Sequence, residues 1–141
     1  MLPLMRNLRK LRSNNQQVAQ MSTVCRDKPI PRDELFTYTN GRCRLNKDHQ
    51  FARRYRKFNL DALCDIAATA GGGISQQIIS IEKLKGGFDK ALLIKKKDGG
   101  ELIAKVPCRI TGTAFLTTAS EVGTLEYIRK YTSIPVPRVL S

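Results

Sequence analysis

The sequence predicts an α+β fold: an antiparallel sheet of three to four or more strands with one packed helix at 117–131. A helix at about 60–70 and a flexible basic N-terminal arm precede it. Three observations predict this. Two β-branched, apolar runs flank Gly86-Gly87 in "ISQQIISIEKLKGGFDKALLIKKK", and a third follows the hairpin signal Asp98-Gly99-Gly100. The period then changes in "FLTTASEVGTLEYIRKYT", where apolar residues recur at helical spacing. Finally, the net charge of +13 is unevenly placed. Residues 1–58 hold 14 Lys/Arg against 4 Asp/Glu, a net of +10, while residues 59–141 hold 11 against 8, a net of +3. The basicity belongs to the N-terminal part and the sheet-forming part is nearly balanced.

In chain order, residues 1–26 carry no acidic residue but include Arg6, Arg9, Lys10, Arg12 and Arg26. Leu4, Leu8 and Leu11 would share one face of a short helix. The segment reads as a mitochondrial transit peptide or as a disordered basic arm. Residues 27–58 read as a linker or extension. "DKPIPRDELF" has two prolines and is expected to be extended, and Asn40-Gly41 is a turn signal. In "FARRYRKFN" the spacing of Phe51, Tyr55 and Phe58 predicts one helix face packing three rings onto the domain. Basic residues interleaved with aromatics also suit single-stranded nucleic acid.

Asn59 is the expected N-cap of the first helix, with Leu60, Leu63, Ile66, Ala67 and Ala70 on its buried side and Gly71-Gly72-Gly73 ending it. Strands are expected at about 77–85, 90–97 and 101–106, the last stopped by Pro107. Lys95-Lys96-Lys97 reads as a solvated hairpin tip. Thr117 or Thr118 is expected to cap the second helix, with Val122, Leu125, Ile128 and Tyr131 inward. "SIPVPRVLS" is expected to enter a fourth strand. Four separated cysteines without a CxxC pair, and one histidine, make a poor metal set. Cys64 and Cys108 read as small core residues.

The order strand, glycine loop, strand, hairpin, strand, helix has no GxxxxGK[ST] string and so is not a P-loop. It matches a kinase-like amino-terminal lobe, in which a glycine-rich hairpin covers nucleotide phosphates. Lys105 sits in "LIAKV", close to the VAIK pattern. Strand alternation places Lys105 and Ile103 on one face, with Ile103 beside the adenine. A mid-strand lysine needs a partner. Glu121 in the following helix is the expected one, and Glu126 is its rival.

"LKGGFDKALLIKKKDGGELIAKVP…ASEVGTLEYIRKYTSIPVPRVL" resembles the amino-terminal lobe of the aminoglycoside phosphotransferase and choline-kinase-like group. With "GRCRLN" before it, the chain resembles the mitochondrial branch called altered inheritance of mitochondria protein. The likeness runs over roughly residues 35–141. It implies a protein-kinase-like fold, ATP as cofactor between two lobes, and transfer of phosphate to an acceptor hydroxyl that the sequence does not identify. It places Gly86, Gly87 and Phe88 in the phosphate-covering loop, and Lys105 and Glu121 as the phosphate-contacting pair. Asp89-Lys90 stands where relatives often carry Ser or Asn.

The resemblance also implies a catalytic half beyond "VPRVL", with a catalytic-loop Asp and a metal-binding Asp. No aspartate follows Asp98. The expectation is therefore an N-lobe over 59–141, with no catalytic residue in this chain, weak ATP binding, and magnesium only with the second lobe. Marginal stability is expected for residues 57–141 alone. The competing expectation is a small basic RNA-binding or mitoribosome-associated module.

Overall fold

The structure is a computed structural model and describes residues 21–37, 45–70, 77–86 and 89–140. Along them run β1 (Ser22–Cys25), β2 (Lys28–Pro29), a 3-10 turn (Arg32–Phe36), α1 (Lys47–Arg54), α2 (Leu60–Thr69), β3 (Ile78–Lys83), β4 (Asp89–Lys96) and β5 (Glu101–Pro107). A second 3-10 turn (Arg109–Thr111) and α3 (Ala114–Tyr131) follow. No helix among the described residues is long and apolar enough to cross a membrane.

The five strands form one sheet in the order β2-β1-β3-β4-β5. The three strands expected from the sequence form its antiparallel half, β3-β4-β5, with Leu92 opposite Ala104 and Ile81 opposite Ile94. The wholly antiparallel expectation is corrected on the other side. β1 lies parallel to β3, pairing Thr23 with Ile81, so the sheet is mixed. Parallel neighbours need a long crossover, and here the 3-10 turn, α1 and α2 supply it. Neither short strand was legible, since "STVC" and "KP" are too brief to show alternation. The expected fourth strand is also corrected: no strand forms over the described residues 132–140, where Pro135 and Pro137 remove two backbone donors.

Period-two alternation gives the sheet a covered face and an open one. On the covered face, Ile78, Ile81, Leu92 and Ile94 pack with Met21, Leu35, Leu60, Cys64 and Ala67 into the core. α2 starts where Asn59 predicts: its side chain accepts the Ala62 N–H at 3.0 Å. Its inner stripe is Leu60, Cys64, Ala67 and Ala68, while Ile66 is exposed and Leu63 half-buried. The helix is rotated from expectation, with Cys64 and Ala68 turned to the core and Leu63, Ile66 and Ala70 turned partly or wholly away from it.

The segment expected as a linker is part of this core. Leu35 is fully buried and Phe36 nearly so. Phe36 meets Phe58 edge-to-face at 4.9 Å between ring centroids. The single aromatic helix face expected over 51–58 is not formed, since α1 ends at Arg54 and Phe58 lies in extended chain. β1 likewise belongs to the sheet, with Met21 and Thr23 buried. The expectations for residues 1–20, Asn40-Gly41 and Gly71-Gly72-Gly73 lie outside the described residues.

The β1–β2 hairpin turns through Arg26 (φ 51°) and Asp27 (φ 61°), both left-handed. A two-residue turn with φ > 0 at both positions favours Asn-Gly, and L-residues with a Cβ are strained there. Arg26→Asn with Asp27→Gly is expected to stabilise the protein by about 1 kcal/mol, read as a rise of a few degrees in a calorimetric Tm.

Three lysines join the sheet to its cover. Lys83, Lys90 and Lys96 are each at most 9 % exposed. Lys96 Nζ donates to Ala70 O at 2.9 Å, the C-cap of α2, and Lys90 Nζ to Arg54 O at 2.7 Å, the last residue of α1. Lys83 Nζ donates to Glu34 O in the first 3-10 turn and to Thr37 Oγ1 at 2.9 Å. Each ammonium thus meets a backbone carbonyl near a helix or turn end, and at α1 and α2 the helix dipole favours a cation there. The expected solvated tip is corrected at Lys96, which points into the covered face. In β4 the alternation Lys90, Leu92, Ile94, Lys96 put all four there.

Burial holds Lys83 and Lys90 below the ordinary lysine value of 10.5. Between the lowered folded value and 10.5 the unfolded chain binds more protons than the folded one. Stability contributed by these two groups therefore rises with pH through that window. Urea melts from neutral pH upward are expected to show a steeper rise of stability in the wild type than in Lys83→Met/Lys90→Met. Equal slopes would contradict it.

Candidate functional site

The open face of the antiparallel half-sheet carries the residues singled out in the sequence. In the β4–β5 register Ala91 lies opposite Lys105 and Leu93 opposite Ile103. With period two, Asp89, Ala91, Leu93, Ile103 and Lys105 share this face. Ala91 and Leu93 are half-buried, and Ile103 is 61 % exposed. The result is an apolar strip with a charged group at one end.

That group is built on Lys105. Its ammonium donates to Glu121 Oε1 on α3 and lies 3.4 Å from Asp89 Oδ2. The expected pairing of β5 lysine and helix glutamate is present, and Glu126 is exposed instead. The Glu121 hydrogen bond raises the Lys105 pKa, with the charges of Glu121 and Asp89 adding to it and burial opposing. Lys105 is thus a cation held between two carboxylates, a cluster of formal charge −1. Asp89 was noted in the sequence only as a departure from the loop pattern. Its place two residues before Ala91, the register partner of Lys105, is the signal that finds it.

Gly86 lies within the β3–β4 connection, which opens with Leu84 N–H donating to Ala91 O at 2.9 Å. A Cβ on Gly86 would stand 1.9 Å from Asp89 O, so only glycine fits between this turn and the start of β4. Gly87 and Phe88 lie outside the described residues.

α3 begins at Ala114, one turn before the expected 117. Thr117 does not cap it: its hydroxyl bonds back to Thr113 O and Thr111 O, both at 3.2 Å. The half-buried stripe of α3 is Ala114, Thr117, Glu121, Val122, Leu125 and Ile128, and no residue of the helix is buried. Tyr131, expected inward, is 63 % exposed and lies beside Tyr127, the tilted rings 4.8 Å apart between centroids. The helix presents Glu121 to Lys105 while Phe115, Leu116 and Tyr127 stand in solvent.

A second charged group lies across the same face, where Lys95 reaches Glu82 at 3.9 Å and Glu101 at 4.0 Å. Among the described residues no cluster of three or more His, Cys, Asp or Glu is arranged to hold a metal ion. Cys64 and Cys108 are buried as expected. Burial, with Asp61 and Asp65 adding to it, pushes the Cys64 thiol up to about 11, which keeps it protonated and unreactive at neutral pH.

Fold and site together define a small α+β protein with a mixed five-stranded sheet. Its open face bears an apolar strip ending in a lysine–carboxylate cluster. Over 57 residues the chain is 44 % identical to proteins named subtelomeric hrmA-associated cluster protein in two strains of Aspergillus fumigatus. The match covers 40 % of this chain and 11 % of those proteins, so the chain spans about a tenth of the length of the curated relatives it matches. No protein-family model and no solved structure matches the chain.

Proposed function

We propose that this chain is the nucleotide-binding N-terminal lobe of an aminoglycoside phosphotransferase-like, kinase-fold protein. The observation that carries the reading is the Lys105–Glu121 pair on the open face of an antiparallel hairpin sheet, beside a connection in which Gly86 cannot be replaced. In this reading Ala91, Leu93 and Ile103 form the roof over the adenine. The connection that contains Gly86 lies toward the phosphates, and Glu121 holds the Lys105 ammonium where it can meet them.

The two carboxylates temper the reading in a definite way. A triphosphate approaching a cluster of net charge −1 must displace Asp89 from Lys105, so binding by this lobe is weak. Magnesium would lower the repulsion, and the resemblance places its ligands in a second lobe. Phosphoryl transfer, its acceptor and residence in mitochondria remain parts of the proposal that concern the longer protein.

Isothermal titration of the 141-residue chain with ATP, with and without magnesium, tests the reading. A single RNA oligonucleotide serves as the competing ligand. Saturable ATP binding, weaker for the Lys105→Met variant, is the expected result. RNA binding with a steep salt dependence and no ATP response would replace this reading with the basic-module one.

A further inference from the structure

The run "FARRYRKFN" takes no part in the open face, and the structure sorts its rings. Phe58 packs edge-to-face on Phe36, and Phe51 is half-buried on α1. Of the three rings Tyr55 alone is exposed, at 41 %. It stands at the C-cap of α1, where the backbone turns extended. From there the residues alternate: Tyr55 and Lys57 are exposed, while Arg56 and Phe58 are half-buried. A ring and an ammonium thus share the outward side of this segment.

The segment is tied to the core. Tyr55 N–H donates to Phe51 O at 2.9 Å and Arg56 N–H to Phe36 O at 3.3 Å. The buried Lys90 ammonium holds Arg54 O and lies 3.9 Å from Cys108 Sγ. That contact brings Arg109, the first residue of the second 3-10 turn, to the end of α1, and the turn packs on that helix. Lys90 points to the covered side of β4, so the group lies across the sheet from Lys105. Charge collects here. Arg53, Arg54, Arg56 and Lys57 are four cations in five consecutive residues, and Arg109 joins them through the fold. Arg53, Lys57 and Arg109 are exposed. No ion pair among the described residues engages Arg53, Arg56, Lys57 or Arg109. Like charges so placed repel one another. Burial first, and then the Arg56 charge, hold Lys90 below its ordinary value.

We propose that the C-terminal end of α1 binds single-stranded nucleic acid, with phosphates on Arg53, Lys57 and Arg109 and one base stacked on Tyr55. A polyanion relieves the repulsion within the cluster, and each phosphate neutralised releases a counterion. A ring set among cations suits a base that is free to stack, which a duplex withholds. Nothing in the group reads a particular base or the 2′-hydroxyl, so RNA and DNA single strands are both expected to bind, without sequence preference.

The inference goes beyond the nucleotide reading and does not depend on it. The surplus of charge belongs to residues on the other side of the sheet, and none of them lines the open face. Oligonucleotide binding together with an ATP response leaves both ideas standing, while loss of either response touches only its own site.

Fluorescence anisotropy on the full chain, with labelled oligo(U) and oligo(dT) of about 12 nucleotides, reads the result. Both are expected to bind saturably below about 100 µM at low salt, and a duplex of the same length more weakly. Arg53→Gln/Lys57→Gln/Arg109→Gln is expected to weaken binding about 30-fold or more and to flatten the salt slope by about 2, at roughly 0.7 for each phosphate contact. Tyr55→Ala is expected to weaken it about 10-fold with the slope unchanged, and Tyr55→Phe to keep it. The basic N-terminal segment has its own control, Arg6→Gln/Arg9→Gln/Lys10→Gln/Arg12→Gln, which is expected to retain the dependence on Tyr55. No saturation by either single strand would overturn the proposal. So would a duplex bound as tightly, a triple variant that binds like wild type, or loss of all binding in the N-terminal variant alone. Binding only to phosphatidylcholine vesicles with about a third phosphatidylserine would likewise overturn it and assign the cluster to a membrane surface. ATP titration of the triple variant is expected to match wild type, which keeps the two sites apart.

Discussion

Lys105→Met is expected to lower ATP affinity by about 10- to 100-fold while leaving the fold nearly intact. Charge-assisted hydrogen bonds to phosphate contribute roughly 1.5–3 kcal/mol, and methionine keeps the stem but loses them. The stability effect is much smaller. The Lys105 side chain is 45 % exposed and that of Glu121 39 %, so solvent screening limits the pair to about 1 kcal/mol or less. Asp89→Asn is expected to act in the opposite direction. It removes one carboxylate from beside Lys105 and takes the cluster from −1 to neutral, so ATP should bind several-fold more tightly at low salt. Titration calorimetry on both variants, with Tm measured alongside, checks the pair of signs. Variants that change affinity in the same direction, or that unfold together, would argue that the cluster is structural.

The second large effect is on stability. Leu35→Ala is expected to cost about 2–5 kcal/mol, a large share of the 5–15 kcal/mol typical of a domain. It should lower Tm by roughly 10–20 °C. Leu35 is fully buried among Met21, Leu60 and the sheet residues Ile81 and Leu92. Cutting its side chain leaves a cavity between the two layers. A denaturation curve close to wild type would mean that residues 21–37 are an accessory to the domain. By the same argument residues 57–141 alone should melt without a cooperative transition, since they lack β1, β2, Met21 and Leu35.

The contrast between what was legible in the sequence and what was not has a physical basis. β3, β4 and β5 announced themselves because each is six to eight residues long and is bounded by glycine turns or proline. Asn59 announced α2 because an N-cap is a local bond. The Lys105–Glu121 contact was legible because strand period and helix phase each place one partner. Leu35 and β1 were hidden, since their role depends on contacts with residues more than forty positions away, such as Ser22 with Ser80. Proline-rich "DKPIPRDELF" looks like a linker locally, and only the core reveals that its last two residues are buried. Lys96 was misjudged as solvated for a related reason, and the burial of Lys83 and Lys90 was not read from the sequence at all. A charged side chain is presumed solvated until a helix end is found to supply its carbonyl. Asp89 was visible as a letter, but its closeness to Lys105 depends on the hairpin register.

The central claim is that the open face of β4 and β5 receives a nucleotide. Amide chemical-shift mapping of the isotope-labelled chain with ATP tests it most directly. The account predicts saturable shifts gathered at Asp89, Ala91, Leu93, Ile103, Lys105 and Glu121, and little change at Leu35, Cys64 or Ala67 on the covered side. Shifts gathered instead along 47–57, or none at saturating ATP, would contradict it.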